Sequence, residues 1–187
     1  GKYGVDIGNL ILSKEEDTVE TKMKAYTAAA SECRMEGCPL SVVINSGSGN
    51  QGITVTMPIL MYAKHLNVTE EIKYRALALS NLVSIYIKRD MGKLSAFCGA
   101  VSASCAAGAA ITYIDGGTVK QIKDTIDNTL ADIPGIICDG AKSSCAVKIA
   151  SALDASLFAH VNPFKALLRM LPAYFTALGT QSSAATI

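Results

Sequence analysis

The chain has 187 residues, and 50% of them are hydrophobic, which is enough to bury a sizeable core in one domain. Its 17 basic and 16 acidic residues leave a net charge of +1. No basic tract or arginine-rich stripe could neutralise a row of phosphates, so nucleic acid is not an expected partner. The first residues show no signal peptide, and we expect a single cytoplasmic α-helical domain over residues 1–187.

Helical patterns dominate the first half of the chain. An alanine-rich run at 25–30 predicts a helix, and residues 46–52 (SGSGNQG) predict a loop because their three glycines free the backbone. Residues 54–66 follow as a predicted helix with a proline in its early turn. Thr69 is the predicted N-cap of a long amphipathic helix, whose apolar residues recur at helical spacing: Ile72, Ala76, Leu79, Val83 and Ile87.

An uncharged segment opens the second half. Residues 96–114 are nineteen residues without a charge, nearly enough to span a bilayer. Most of them are Ala, Gly, Ser or Cys rather than Leu, Ile or Phe, which favours a buried small-residue helix over a membrane span. Further helices are predicted at 118–130 and 141–160, and prolines at 163 and 172 divide the apolar tail.

Period-two alternation is rare in this sequence. The short candidate strands are residues 40–44 and 52–57, and no internal repeat occurs at a fixed period. The predicted fold class is therefore mainly α, a compact multi-helix domain that contains the buried small-residue helix.

The six cysteines raise the question of metal binding. In a chain of this length they do not indicate the disulfide framework of a small secreted domain. Cys98 is followed by Cys138 forty residues later and by Cys145 seven residues after that. Neither spacing is typical of a zinc ribbon or a ferredoxin. On spacing alone, buried thiols that act as small hydrophobic residues are the alternative to metal ligands.

Three segments together resemble the serine dehydratase α-chain superfamily. They are residues 45–53 (NSGSGNQGI), 94–100 (LSAFCGA) and 138–148 (CDGAKSSCAVK). Within that superfamily they are most similar to the branch that contains L-cysteine desulfidase and many uncharacterised relatives. The resemblance extends over about residues 28–153, roughly two thirds of the chain.

The resemblance implies an iron-sulfur lyase. In that family three cysteines hold a [4Fe-4S] cluster and leave one iron without a protein ligand, and the matching residues here are Cys98, Cys138 and Cys145. Such an iron acts as a Lewis acid towards a leaving oxygen or sulfur. The implied reaction is β-elimination on L-serine or L-cysteine, which releases pyruvate and ammonia after a base has removed the α proton.

The resemblance also implies a substrate site beside the cluster. The glycine-rich segment would hold the amino-acid carboxylate with backbone N–H groups and polar side chains, or it is simply a turn between two elements. Lys142 could offset the thiolate charge or bind a carboxylate, with Asp139 orienting it, or the two could form a solvent-facing pair. The candidate substrate-binding residues are Ser46, Gly47, Ser48, Gly49, Asn50, Gln51 and Lys142.

The general base is not assigned. The cysteine desulfidase branch has an upstream Gly-Cys-Thr-Glu-Pro motif that this sequence lacks, and Cys33 and Cys38 do not match it. We therefore expect the C-terminal portion of a larger lyase, with the base in an N-terminal half and with self-association into a homo-oligomer. Cys105, His65 and His160 are expected to be structural. The alternative functions are a non-catalytic metal or amino-acid binding remnant and a structural helical module.

Overall fold

The computed structural model describes residues 4–92 and 95–160. These two ranges form eight α-helices and no β-strand, which confirms the mainly α prediction. None of the eight is long and apolar enough to cross a bilayer. The predicted breaks at 163 and 172 lie outside the described residues. The helices are α1 (Ile7–Lys14), α2 (Val19–Met35), α3 (Gly49–Thr54), α4 (Met57–His65), α5 (Glu70–Lys88), α6 (Gly99–Ile114), α7 (Val119–Asp132) and α8 (Cys145–His160).

Helix α6 forms the centre of the domain and is the predicted small-residue helix. All of its residues except Gly99 and Tyr113 are buried, and it packs against α3, α4, α5, α7 and α8. Small side chains allow these neighbours to approach closely: a Cβ at Gly108 would stand 2.9 Å from the Ser156 carbonyl oxygen on α8. Helix α6 is therefore held in place by a closely packed core.

Threonine side chains begin three of the helices. The Thr69 hydroxyl accepts a hydrogen bond from the Ile72 N–H at 3.4 Å, as predicted for the N-cap of α5. Thr18 caps α2 in the same way. Thr118 and Gln121 form a reciprocal capping box at the start of α7. The caps of α5 and α7 account for helix starts that lie close to the predicted ones, whereas α2 begins before the predicted run at 25–30.

The two candidate strands are wrong. Residues 52–57 contain the end of α3, a turn and the start of α4, because Ile53 and Val55 are buried in the helical packing, which overrides their β propensity. Residues 40–44 have no strand partner among the described residues and lie across α3. A Cβ at Gly52 would stand 1.7 Å from the Val43 carbonyl oxygen, so this crossing requires glycine. The predicted loop at 46–52 is also shorter, because α3 begins at Gly49.

Candidate functional site

A short antiparallel bridge holds Cys98 beside Cys138. The Cys98 N–H donates to the Ile136 carbonyl at 2.7 Å, and the Cys138 N–H donates to the Ala96 carbonyl at 2.7 Å. Two residues that are forty positions apart in the sequence are thus fixed side by side by backbone hydrogen bonds. Sequence spacing gave no sign of this bridge, because single bridges have no period to detect.

Two of the three cysteines lie at helix N-termini. Cys98 is the N-cap of α6, and Cys145 is the first residue of α8. The unpaired N–H groups and the partial positive charge at such a position favour the thiolate form of cysteine. The segment before α8 turns at Gly140, whose φ of 99° is readily adopted only by glycine.

The glycine-rich segment begins with a tight turn. The Ser48 N–H donates to the Asn45 carbonyl at 3.0 Å, and the Asn45 N–H donates to the Ser48 carbonyl at 3.2 Å. The two residues between them, Ser46 and Gly47, have positive φ angles of 48° and 86°. Positive φ at both central positions is the pattern of a type I′ turn.

The side chain of Asn45 anchors this turn to α5. Asn45 is 4% exposed, and its amide donates to Asn81 Oδ1 at 2.9 Å and accepts from Ser84 Oγ at 3.0 Å. Buried polar groups that are fully hydrogen-bonded fix one conformation of the chain around them. The turn is therefore part of the folded core rather than a loose surface loop.

The turn, the start of α3 and the three cysteines enclose one cavity of about 380 Å³. Four of the candidate loop residues contribute to its wall, and so do all three candidate metal ligands. Cys98 and Cys145 are half-buried, whereas Cys138 is exposed. The candidate residues that line the cavity are Gly47, Ser48, Asn50, Gln51, Cys98, Cys138 and Cys145.

The other three candidate residues do not line this cavity. Ser46 is not part of its wall, and Gly49 lies against Arg34, where a Cβ would stand 2.5 Å from the Arg34 Nε. Lys142 forms an ion pair with Asp139 at 2.6 Å, and its side chain is 52% exposed. The Lys142–Asp139 pair therefore has the geometry of the solvent-facing alternative.

Lys148 places a positive charge beside the thiols. Its ammonium group donates to the Ile137 carbonyl at 3.2 Å and also pairs with Asp139. Burial raises the pKa of Cys98, and the positive charge of Lys148 acts in the opposite direction. Lys142 and Lys148 together hold the pKa of Asp139 well below its usual range. The sequence offered Lys142 for this role, with a solvent-facing pair as the alternative, whereas the lysine whose charge acts on the Cys98 thiol is Lys148.

Two further cations line the cavity and were missed by sequence reasoning. Arg34 on α2 donates to Asn50 Oδ1 at 3.0 Å. Lys88, the last residue of α5, is 5% exposed and donates to Ser95 Oγ at 3.0 Å. Both belong to helices with charged exposed faces, where a cationic side chain usually indicates solvation. No feature of the sequence distinguishes these two from the exposed cations of the same helices.

Gln51 presents a buried acceptor in the cavity wall. Its side chain is 5% exposed, and its Oε1 atom has no hydrogen-bond partner among the described residues. An unpaired buried carbonyl is unfavourable by about 1–3 kcal/mol. Such an atom in a cavity wall indicates a partner that the polypeptide itself does not provide.

The three thiols of the cavity are donors of the kind that iron-sulfur clusters use. In the described part of the chain, no three Cys, His, Asp or Glu side chains converge closely enough to hold one metal ion. Three thiols around one cavity are the ligands that iron-sulfur clusters use, and each thiolate binds a different iron, so the sulfur atoms stand further apart than around one ion. The residues present therefore fit a cluster with three protein ligands.

The remaining thiols lie away from this cavity. Cys105 is fully buried in α6, and burial raises the pKa of its thiol to about 12. Cys33 and Cys38 line a second cavity of about 450 Å³, which is mostly apolar. A hydrogen bond between these two thiols raises the pKa of Cys33 and lowers that of Cys38. His65 is exposed and stacks with Tyr62, their ring centroids 6.4 Å apart.

The fold and the cavity define an all-α domain with a three-thiol site beside a polar turn. Residues 3–162 match the family model of the serine dehydratase alpha chain, and the chain belongs to this family. The family assignment confirms the resemblance on which the candidate residues were chosen.

Several bacterial relatives are similar over most of the chain. UPF0597 proteins are 56% identical over 163 residues in Lachnoclostridium phytofermentans (87% of this chain, 39% of the relative). The values are 52% over 157 residues in Finegoldia magna (84% and 37%) and 48% over 161 residues in Desulfitobacterium hafniense (86% and 37%). The chain thus spans about two fifths of the length of these relatives. No solved structure shows a significant match to it.

Proposed function

We propose that this chain is the cluster-bearing and substrate-binding part of an iron-sulfur lyase that acts on L-serine or L-cysteine. The observation that carries the proposal is that Cys98, Cys138 and Cys145 line one cavity together with the glycine-rich segment, although the sequence separates them widely. Membership of the serine dehydratase alpha chain family supports the reaction class.

In this proposal the three cysteines hold a [4Fe-4S] cluster. When bound, the cluster supplies an iron without a protein ligand, which is a Lewis acid for the leaving group. The N-termini of α6 and α8 and the ammonium group of Lys148 offset the negative charge of the thiolates. The Cys98–Cys138 bridge keeps two of the ligands in place.

The proposed reaction removes the α proton and expels the β substituent as water or hydrogen sulfide. The resulting aminoacrylate becomes an imine, and water converts it into pyruvate and ammonia. Ser48, Asn50 and Gln51 would bind the amino acid in the cavity, where their side chains can donate and accept hydrogen bonds. We propose that the general base belongs to a larger lyase of which this chain is a part.

A non-catalytic amino-acid binding module is the second candidate. It is favoured by one observation: within the described residues, no carboxylate or imidazole lines the cavity, so the wall contains neither of the two commonest general bases. Both candidates share a cytoplasmic location in our proposal, because reduced thiols are needed for cluster binding. A homo-oligomer is likewise proposed.

The test is the iron and acid-labile sulfide content per chain after anaerobic reconstitution. We expect about four irons in the wild type and a loss of the cluster in Cys98→Ala, Cys138→Ala and Cys145→Ala. Cys33→Ala and Cys105→Ala are matched controls that should keep the iron. No iron in the wild type, or full iron in the three variants, would contradict the proposal.

A second measurement separates the two candidates. The iron-loaded protein is incubated anaerobically with L-serine and with L-cysteine, and pyruvate is measured over time. Pyruvate release supports the lyase. Iron without pyruvate, combined with saturable amino-acid binding, supports the binding module.

A further inference from the structure

Lys88 is a buried cation without a carboxylate partner among the described residues. Its side chain is 5% exposed, and its ammonium group makes one hydrogen bond, to Ser95 Oγ at 3.0 Å. Ser95 in turn donates to the Phe97 carbonyl at 3.0 Å. An ammonium group has three donors, and across residues 4–92 and 95–160 no carboxylate is close enough to Lys88 to form an ion pair. Two of its donors are therefore left for another partner.

A second buried lysine, Lys24, lies beside two carboxylates and serves as a comparison. Lys24 is 6% exposed, and its ammonium group lies 2.6 Å from Glu15 and 2.8 Å from Asp154. Burial of an ammonium group is unfavourable unless a negative charge compensates it. Lys88 has the same burial without such compensation among the described residues, so its ammonium group is available to bind an anion in the cavity.

Lys88 shares its cavity with the unpaired acceptor of Gln51. Within the described residues, the wall therefore offers one buried positive charge without a carboxylate beside it and one buried carbonyl oxygen without a hydrogen-bond donor. A carboxylate satisfies the first and an ammonium group satisfies the second. An α-amino acid carries both groups on one carbon atom.

We propose that Lys88 binds the carboxylate of a small α-amino acid in this cavity and that Gln51 Oε1 accepts a hydrogen bond from its α-ammonium group. This inference rests on the proposed function for the identity of the ligand. It assigns the recognition of the two charged groups of an amino acid to Lys88 and Gln51. The two contacts place the amino acid between the end of α5 and the start of α3, in the cavity that the thiols also line.

The test compares three small ligands that cannot undergo the elimination. Glycine carries both charged groups, propionate carries the carboxylate alone, and ethylamine carries the ammonium group alone. Binding is measured by titration calorimetry on the anaerobically reconstituted protein, with its iron content determined in parallel. The variants are Lys88→Met, Lys88→Arg and Gln51→Leu, and Lys123→Met is the control because Lys123 is an exposed residue of α7.

We expect Lys88→Met to weaken glycine and propionate binding by about thirtyfold or more, the usual effect of removing one member of a buried charged pair, and to leave ethylamine binding unchanged. Lys88→Arg should keep most of the propionate affinity. Gln51→Leu should weaken glycine and ethylamine but not propionate. Lys88→Met should also unfold at the same temperature as the wild type or higher, because it removes an uncompensated buried charge.

Several results would overturn the inference. One is unchanged glycine binding in Lys88→Met, and another is a wild type that binds neither glycine nor propionate. A third is an Lys88→Met protein of lower melting temperature that binds all three ligands more weakly, which is the behaviour of a structural lysine. The iron content, determined in parallel, tests the lyase proposal independently of these binding results. Specific propionate binding without iron supports Lys88 alone, and iron with no effect of Lys88→Met supports the cluster alone.

Discussion

Gly99 lies directly against the side chain of Gln51, so that a Cβ at residue 99 would stand 2.2 Å from Gln51 Cδ. Gly99 follows the cysteine that caps α6, and Gln51 lies in α3. The absence of a side chain at residue 99 therefore lets α3 approach the start of α6. This contact holds Gln51 in the wall of the thiol cavity.

Gly99→Ala should displace Gln51 from this position. We expect a loss of about 1–2 kcal/mol in the free energy of unfolding, at the lower end for an added methyl group in a packed site, because a glutamine side chain can move. Urea unfolding of Gly99→Ala, of Gln51→Ala and of the double variant would measure it. In the Gln51→Ala background the same substitution should be nearly neutral, and equal losses in both backgrounds would show that the contact is not the cause.

Asn45→Ala should destabilise the turn that precedes α3. The substitution leaves Asn81 and Ser84 with unpaired groups in a buried site, which we expect to lower the free energy of unfolding by about 1–3 kcal/mol. Asn128→Ala is the matched control, because Asn128 is exposed on α7. Equal melting temperatures for the two variants would mean that Asn45 does not anchor the turn.

Lys24→Met should destabilise the protein at neutral pH by about 1–2 kcal/mol, since Glu15 and Asp154 lose their shared partner but remain partly exposed. Lys22→Met is the control, because the Lys22–Asp17 pair is at the surface and its loss should have almost no effect. Thermal unfolding at pH 7 measures both. A larger effect at Lys22 than at Lys24 would contradict the assignment.

The contribution of Lys24 should also depend on pH. Burial lowers the pKa of Lys24, but the hydrogen bonds to Asp154 and Glu15 outweigh it, so the pKa is raised above its ordinary value of 10.5. A lysine whose pKa is higher in the folded than in the unfolded protein contributes its full stabilisation at pH values below the unfolded-state pKa. This stabilisation is lost as the pH rises through the folded-state pKa. The difference in unfolding free energy between wild type and Lys24→Met should therefore shrink above pH 10.5, and a constant difference would exclude the linkage.

The cysteines should differ widely in reactivity. Cys138 is exposed, whereas Cys105 is buried and its pKa is about 12. At pH 8 we expect the apoprotein to be alkylated at Cys138 at least roughly a thousand times faster than at Cys105, since the thiolate is the reacting form. Mass spectrometry after brief alkylation measures the two rates. Similar rates would mean that α6 opens readily to solvent.

Helices such as α5, α6 and α7 could be predicted from the sequence because their apolar spacing, small-residue content and caps are local, whereas α1 and α3 were not predicted. Thr69 and its acidic first turn predict the start of α5, and the long run of small residues predicts the burial of α6. Residues 52–57 could not be predicted in this way, because Ile53 and Val55 favour strands locally and adopt helix and turn only through contacts with other helices.

The candidate site was predictable where chemistry is tied to a motif. The three cysteines and the glycine-rich turn could be named in advance, and they line one cavity. Lys88 and Arg34 could not be named, because what distinguishes them is where the fold places their side chains. Lys142 and Lys148 lie in the same motif, so the sequence alone does not say which of them acts on the thiols. In the structure Lys148 donates to the Ile137 carbonyl, next to Cys138, whereas Lys142 pairs with Asp139.

The backbone bridge between the segments of Cys98 and Cys138 fixes the positions of these two residues without a bound ligand. Hydrogen bonds of 2.7 Å, formed by the polypeptide alone, hold these two residues together. The backbone entropy of these two segments is therefore lost on folding, before any ligand binds. A cluster of the kind proposed above would therefore bind to a folded chain in which two of its three ligands are already side by side.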